Sequence, residues 1–291
     1  MAIMAEQNIS AERAGTLKVG NFIVNRLGFG AMRITGQGIW GAPADPENAK
    51  RVLQRAVELN VNFIDTADAY GPEVSENLIR QALYPYEGLI IATKGGMLRG
   101  GPGNWFPDGS PEHLRAACEA SLQRLGVEQI TLYQFHRPDP KVPFTDSLKT
   151  LLELKNEGKI RHIGLSNVTL LQLKQALKLT PIASVQNHYN FEHRRDSEDV
   201  LNFCEQQGIA FIPYFPIGGG QSSYSQQTLQ RVAQRHHVSA QQIALAWLLA
   251  RSPVMLPIPG TSSIEHLEEN VASANIVLDS DDLAALNTLS D

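Results

Sequence analysis

Residues 62–94 read NFIDTADAYGPEVSENLIRQALYPYEGLIIATK. Two apolar runs, one starting at Asn62 and one at Leu89, bracket a longer punctuated stretch. Each closes on polar side chains: Asp65 and, after a short turn, Tyr70 in the first, Lys94 in the second. Short β-branched or aromatic runs bounded by turn residues are strand signals. The same unit recurs along the chain. Strand-like runs start near Leu27, Asn62, Leu89, Thr131, Ile160, Ser184, Ala210 and Val254, a mean spacing of about 32 residues, the length of one βα unit.

The segments between these runs carry helical punctuation. Asp45 is placed to cap a helix with Pro46 at its first position, and Ala49, Val52, Leu53, Ala56 and Val57 then recur as one buried face. Ser110 and Pro111 open another, with Leu114, Ala117, Cys118, Leu122 and Leu125 on one stripe and Gly126 as the stop. On this spacing Cys118 is core packing. Ser239 and Gln242 form a capping-box pattern before IALAWLLA, a helix apolar on nearly all sides and so buried.

Eight such alternations suit a doubly wound open sheet or a closed barrel. Eight repeats without a domain-splitting linker favour an α/β (β/α)8 TIM barrel over about 27–272, in a single domain of 1–291. Within 1–26, TLKVGNFIVN reads as a β-hairpin turning at Gly20 and Asn21, a common plug for a barrel bottom; 273–291 is a short C-terminal tail. Two connections are long: the Gly-rich Gly95 to Gly109, holding Trp105, and Ile217 to Ser225.

The 291 residues carry a formal charge of -5 with no run of Lys and Arg, which argues against nucleic acid as a partner. Cys118 and Cys204, neither in a Cys-x-x-Cys pair, read as free thiols. Glu6 and Glu12 interrupt the N-terminus where an export signal needs an apolar run, and the longest apolar stretch, Ile243 to Ala250, is far too short for a bilayer. A cytoplasmic protein with no membrane partner is expected, and no feature demands more than a monomer. His188 and His193 lack the i, i+4 register of a zinc helix, so no metal site is expected. Gly28-x-Gly30 lacks the third glycine of a dinucleotide fingerprint.

In a barrel the informative positions are the first polar residues after each strand. They are Asp65 and Tyr70, Lys94, His136 after LYQF, Ser166 and Asn167 after IRHIGL, Gln186 in SVQNHY, Tyr214 after FIP, and Gly260 and Thr261 after MLPIP. A phenol's pKa near 10 is too high for efficient proton donation at neutral pH, and an adjacent ammonium would lower it. Lys94 would supply that field, Asp65 would keep Lys94 charged, and His136 would orient a carbonyl oxygen. Tyr70 becomes a general acid toward a carbonyl that is receiving a nucleophile. No side chain is an evident electron source, so a hydride-donating cofactor is implied.

FIDTADAYG, ATK, QFHRPDP, GLSN, VQNHYN, IPYFPIGGG and IPGTSSIEHLEEN occur in this order from about Leu27 to Asn270. The chain resembles the aldo-keto reductases on these segments, and ALYPY, RHIGLSNVT and ALAWLLARSP look most like the bacterial branch that includes pyridoxal reductase. The resemblance implies Tyr70 as proton donor with Asp65, Lys94 and His136 completing a tetrad, and NADPH, in preference to NADH, across the rim. Ser166, Asn167 and Gln186 would hold its carboxamide and Tyr214 would stack on the nicotinamide. Backbone near Ala31, Met32 and Ile217 would border it. Gly260, Thr261, Ser262, His266, Glu269 and Asn270 fall where the family binds the 2'-phosphate and adenine. Many members place a Lys and an Arg there, whereas this chain has Gly260 and His266; Arg231, Arg235 and Arg251 are further candidates.

Blander readings stand beside these. His136 alone is a common type of satisfied core residue, Asp65 and Lys94 alone would make a structural ion pair, and Lys94 is also the residue type of Schiff-base barrel enzymes. Trp105 either packs its loop or lines the substrate pocket. The expected activity is reduction of an aldehyde or ketone, with pyridoxal, methylglyoxal and aromatic aldehydes as candidates. The alternative is a cofactor-binding, redox-sensing regulatory subunit with little turnover, a role some relatives of the fold serve.

Overall fold

The computed structural model describes residues 9–218 and 227–287. A hairpin of β1 (Thr16–Val19) and β2 (Phe22–Asn25) comes first, turning at Gly20 and Asn21 as the sequence predicts. The chain then alternates β3 (Phe29–Gly30), α1 (Pro46–Glu58), β4 (Phe63–Asp65), α2 (Val74–Leu83) and β5 (Ile90–Gly95). A second hairpin, β6 (Met97–Gly101) and β7 (Asn104–Pro107), precedes α3 (Pro111–Leu125) and β8 (Ile130–Phe135). Next come α4 (Phe144–Asn156), β9 (Ile160–Ser166), α5 (Leu170–Leu177), β10 (Ile182–His188), α6 (Glu198–Gln207) and β11 (Ala210–Tyr214). Helices α7 (Gln227–His236), α8 (Ala240–Arg251), α9 (Ile264–Ala272) and α10 (Ser280–Asn287) complete the described chain.

The helices begin where the side chains dictate. The Asp45 carboxylate accepts the Asn48 N–H at 2.8 Å, the Ser110 hydroxyl accepts the His113 N–H, and Ser239 with Gln242 forms the full capping box. Each removes orphan donors from a first turn. Gly126 ends α3 at φ 72°, a left-handed value that costs glycine nothing. Cys118 is buried on the core face of α3, and burial pushes its thiol up to about 12, so it is packing. Val57 and Leu122 are only half-buried, at the margins of their stripes.

Seven strands form one parallel sheet in the order β11-β10-β9-β8-β5-β4-β3. The eighth predicted strand, from Val254, is an extended segment without a continuous ladder. It still closes the barrel: Leu256 N–H donates to Phe211 O at 2.8 Å on one side, and Pro257 O accepts from Gly28 N–H at 2.9 Å on the other. Pro253, Pro257 and Pro259 have no N–H to donate, which is why the pairing stays sporadic. The first barrel strand is likewise shorter than the run from Leu27 suggests. The result is an α/β TIM barrel preceded by a hairpin.

Below the rim the barrel is apolar. Phe63, Ile90, Ala92, Leu132, Ala210, Ile212, Leu256 and Ile258 form one buried cluster with Val19 and Val24 of the first hairpin, which plugs the floor. Two of the segments outlined by the sequence hold regular structure of their own. The Gly95–Gly109 connection is an ordered hairpin, with Leu98 facing Phe106 and Arg99 facing Trp105 across the ladder. The tail from residue 273 includes α10, which packs on α7 and α8 through Arg235–Asp282 and Trp247–Asn287 contacts. Residues 219–225 of the other long connection lie outside the described residues, as do 288–291.

At the closure a Cβ built on Gly30 would stand 2.6 Å from the Ile258 carbonyl oxygen. Gly30→Ala is therefore expected to force the closing segment away from β3 and to destabilise the fold by about 1–3 kcal/mol. Thermal unfolding measures this, and an unchanged midpoint would show that the closure yields freely.

Candidate active site

Side chains alternate across a strand, so the inward positions after Phe63, Ala92, Leu132 and Ser184 are Asp65, Lys94, Gln134 and Gln186. They form a polar tier above the apolar floor. Lys94 Nζ donates to Asp65 Oδ2 at 2.5 Å, to the Thr66 carbonyl at 2.9 Å and to the Tyr70 hydroxyl at 3.2 Å. Lys94 is 0% and Asp65 2% exposed. The other carboxylate oxygen, Asp65 Oδ1, accepts Nε2 of Gln134 at 2.9 Å and of Gln186 at 2.8 Å. Every proton of the ammonium thus has a partner.

Burial opposes the charge on Lys94, but Asp65 and Tyr70 outweigh it and the ammonium is held above its ordinary value. Burial also dominates at Tyr70, which is 7% exposed: the Lys94 ammonium pulls the phenol down, yet the net direction is up. This corrects the expectation of a lowered phenol. Lys94 offsets part of a burial penalty without reversing it, so Tyr70 stays protonated at neutral pH. His136 is pushed well below the usual imidazole range by burial first, then by Lys94 and Arg137. It is neutral, and its Nδ1 is buried without a partner.

Tyr70, Asp65 and His136 line a cavity of about 1060 Å³ at the carboxyl end of the strands, at the upper end of the roughly 300–1,000 Å³ usual for small-ligand sites. Ser166, Asn167, Gln186, Tyr214, Ile217, Met32, Gly260, Thr261, Ser262 and Trp105 line it as well. Ala31 is fully buried, its carbonyl accepting Ser75 Oγ, and does not border the cavity. His266, Glu269 and Asn270 lie on α9 outside the described lining. Nor do Arg235 and Arg251 reach it: Arg235 pairs with Asp279 and Asp282, Arg251 with Glu198. The lining guanidinium groups are Arg33 and Arg137.

Arg137, whose sequence signal is only that it follows His136 directly, belongs to the cavity wall. Its NH2 donates to Asn167 Oδ1 at 2.9 Å, and the Tyr214 hydroxyl donates to the same oxygen at 2.8 Å. Asn167, at φ 58°, turns its amide nitrogen to the His136 carbonyl and to Ser166 Oγ, both at 3.0 Å. The Tyr214 ring is stacked on His188, centroids 5.1 Å apart and planes 5° from parallel. One wall is therefore a fixed aromatic plane beside amide and hydroxyl groups, which suits a flat ring bearing a carboxamide.

The opposite wall is the second hairpin. Trp105 meets Tyr70 and His136 edge-on, at centroid distances of 6.4 and 6.3 Å. Behind it the Arg99 guanidinium lies 3.6 Å from the indole centroid and donates to the carbonyls of Gly38, Ile39, Ala69 and Gly101. Arg99 thus ties the hairpin to the turn carrying Tyr70. Its signal in the sequence is only its register opposite Trp105. No group of three or more His, Cys, Asp or Glu side chains placed to hold a metal occurs among the described residues, and no described helix is long and apolar enough to cross a membrane.

A buried phenol, ammonium and carboxylate beside a neutral imidazole equip the rim for acid–base chemistry on a ligand in the cavity. The aldo/keto reductase family profile matches residues 26–291, and the chain belongs to that family. It is therefore an oxidoreductase. An uncharacterized oxidoreductase of Schizosaccharomyces pombe is 54% identical, over 97% of this chain and 92% of its own length. Pyridoxine 4-dehydrogenase of Escherichia coli is 42% identical, over 95% of this chain and 99% of its own. Among solved structures, an aldo/keto reductase from Klebsiella pneumoniae in complex with NADP and acetate superposes with a TM-score of 0.80 at 26% identity, covering 94% of each chain.

Two outcomes follow from this geometry. Arg99→Met, in a Trp40→Phe background, should release Trp105, seen as a red-shifted and more readily quenched indole emission; an emission unchanged in position and quenching would mean that the hairpin holds Trp105 without the clasp. Because the His136 pKa is lower in the folded chain than the ordinary value near 6.5, the unfolded chain takes up protons first as pH falls, and stability declines below that value. His136→Gln should flatten the decline in unfolding free energy between about pH 6.5 and 5, leaving the part due to His188 and His162, which are also lowered. An equally steep decline would contradict a buried neutral His136.

Proposed function

We propose that the chain reduces the carbonyl of a small aldehyde, and of some ketones, to an alcohol at the expense of NADPH, with Tyr70 as proton donor. The observation that carries the reading is the single ammonium of Lys94 shared between the Asp65 carboxylate and the Tyr70 hydroxyl at the cavity wall. The residues present fit the cofactor. The Tyr214 plane and the Ser166, Asn167 and Gln186 side chains match a nicotinamide and its carboxamide, and the Klebsiella relative of the same fold was solved with NADP. When bound, NADPH supplies the hydride.

The chain's own residues do the rest. The neutral His136 lines the cavity, and its ring N–H would position the substrate oxygen beside the Tyr70 hydroxyl. As negative charge develops on that oxygen, Tyr70 donates its proton, and the phenolate left behind faces the Lys94 ammonium. Asp65, held by Gln134 and Gln186, keeps Lys94 protonated through the step. Burial keeps the phenol from ionising in advance, so the donor is loaded at neutral pH. The Trp105 wall sets the width available to the substrate.

Pyridoxal is a candidate substrate through the 42% identical pyridoxine 4-dehydrogenase, with methylglyoxal and aromatic aldehydes beside it. Initial rates of NADPH and NADH oxidation against these three test the reading. Tyr70→Phe should retain NADPH binding and lose roughly 10²–10⁴-fold in rate, the usual worth of a positioned acid. An undiminished rate would remove Tyr70 from the chemistry. NADPH binding by the wild-type protein with no turnover of any carbonyl would instead favour a cofactor-sensing role.

A further inference from the structure

His188 ends β10 outside the lining of the main cavity, yet one wall of that cavity rests on it. Its ring is parallel to the Tyr214 ring, in the offset geometry that aromatic pairs favour. The β11 backbone holds one end of the Tyr214 side chain and Asn167 Oδ1 the other, through the hydroxyl. These two anchors leave the phenol free to turn about the line between them, and a flat ring behind it removes that freedom.

His188 is itself held in one orientation. Asn190, 2% exposed, accepts the N–H groups of Glu192 and His193 at Oδ1, both at 2.9 Å, which settles the end of the amide that carries oxygen. Its Nδ2 donates to the Phe215 carbonyl at 2.9 Å and to His188 Nε2 at 3.4 Å. An amide nitrogen only donates, so Nε2 is the acceptor and the ring proton sits on Nδ1. Burial and then His193, against a smaller opposing effect of Asp196, hold His188 below the usual imidazole range, in keeping with a neutral ring. Phe215, at φ 52°, meets Tyr214 and His188 edge-on, with centroids 5.4 and 5.9 Å away. One buried amide thus holds both the ring behind Tyr214 and the backbone just after it. The His193 ring lies 4.7 Å from that of His188, and both line a separate cavity of about 260 Å³, so a residue without a ring at this position would leave Tyr214 with room to tilt back.

From this we infer that His188 is a positioning residue of the main cavity: locked by Asn190, its ring backs Tyr214 and sets the tilt of the plane on which the nicotinamide rests. The inference rests on the NADPH reading above. His188 acts through Tyr214 alone, so its effect falls on the nicotinamide end of NADPH and NADH alike.

Calorimetric titration with NADPH, NADH and adenosine 2',5'-bisphosphate, which lacks the nicotinamide, tests it in the wild type, His188→Leu and His188→Phe. Both variants fill the position, and only phenylalanine restores a flat ring. His188→Leu is expected to weaken both dinucleotides about fivefold or more, within the worth of one aromatic pair, and to leave the bisphosphate within about twofold. His188→Phe is expected to recover most of the loss. Dinucleotide binding by His188→Leu equal to the wild type, no recovery in His188→Phe, or an equal loss for the bisphosphate would each overturn the inference while the NADPH reading stands. If the folded wild-type protein binds neither dinucleotide, both fall.

Discussion

The structure turns on one ammonium group buried inside a barrel. An unpaired charge in that position would cost several kcal/mol, and breaking a buried pair by removing one partner typically costs about 3–5 kcal/mol. Lys94 is tolerated because its three protons reach a carboxylate, a backbone carbonyl and a phenol. Asp65 is tolerated in turn because two amides take its other oxygen. These partners come from β4, β5, β8, β10 and the turn after β4, so the set is complete only when the sheet has wrapped far enough to bring Gln186 onto Asp65. Closure and charge burial therefore support one another.

Closure imposes its own terms on the backbone. The segment that joins β11 to β3 is rich in proline and pairs intermittently, and it approaches β3 so closely that Gly30 and Gly260 have no room for side chains. Gly30 and Gly260 at that seam, with Thr261 and Ser262 beyond it, line the cavity, so a local packing constraint fixes where part of its wall stands.

Much of this was legible in the chain. Asp45, Ser110 and Ser239 announce their helices because capping is a local interaction, settled within a few residues. The polar strand ends at Asp65, Lys94, His136 and Gln186 stand out because a period of two separates floor from rim. What escaped depends on distant partners. Gln134 reads as an ordinary strand polar residue until Asp65 is brought opposite it, and Arg99 until Trp105 folds over its guanidinium. The Gly-rich β6–β7 hairpin hides its alternation because glycine carries no side chain to mark a face. The net direction of the Tyr70 shift is hidden for the same reason: pairing with Lys94 follows from spacing, whereas the opposing burial is a property of the closed barrel.

The apolar floor completes the electrostatics. Val19 and Val24 of the first hairpin pack in one buried apolar cluster with Phe63, Leu132 and Leu256, and Lys94 is fully buried. With solvent excluded on that side, the ammonium acts on Asp65 and Tyr70, which touch it, and reaches His136 as well, since a low local dielectric screens a charge less. Burial of Tyr70 itself raises the phenol. These two effects act on different states of Tyr70: burial favours the neutral phenol, whereas the ammonium favours the phenolate. A hairpin at the barrel floor thereby belongs to the same electrostatic arrangement as the phenol and the ion pair at the rim.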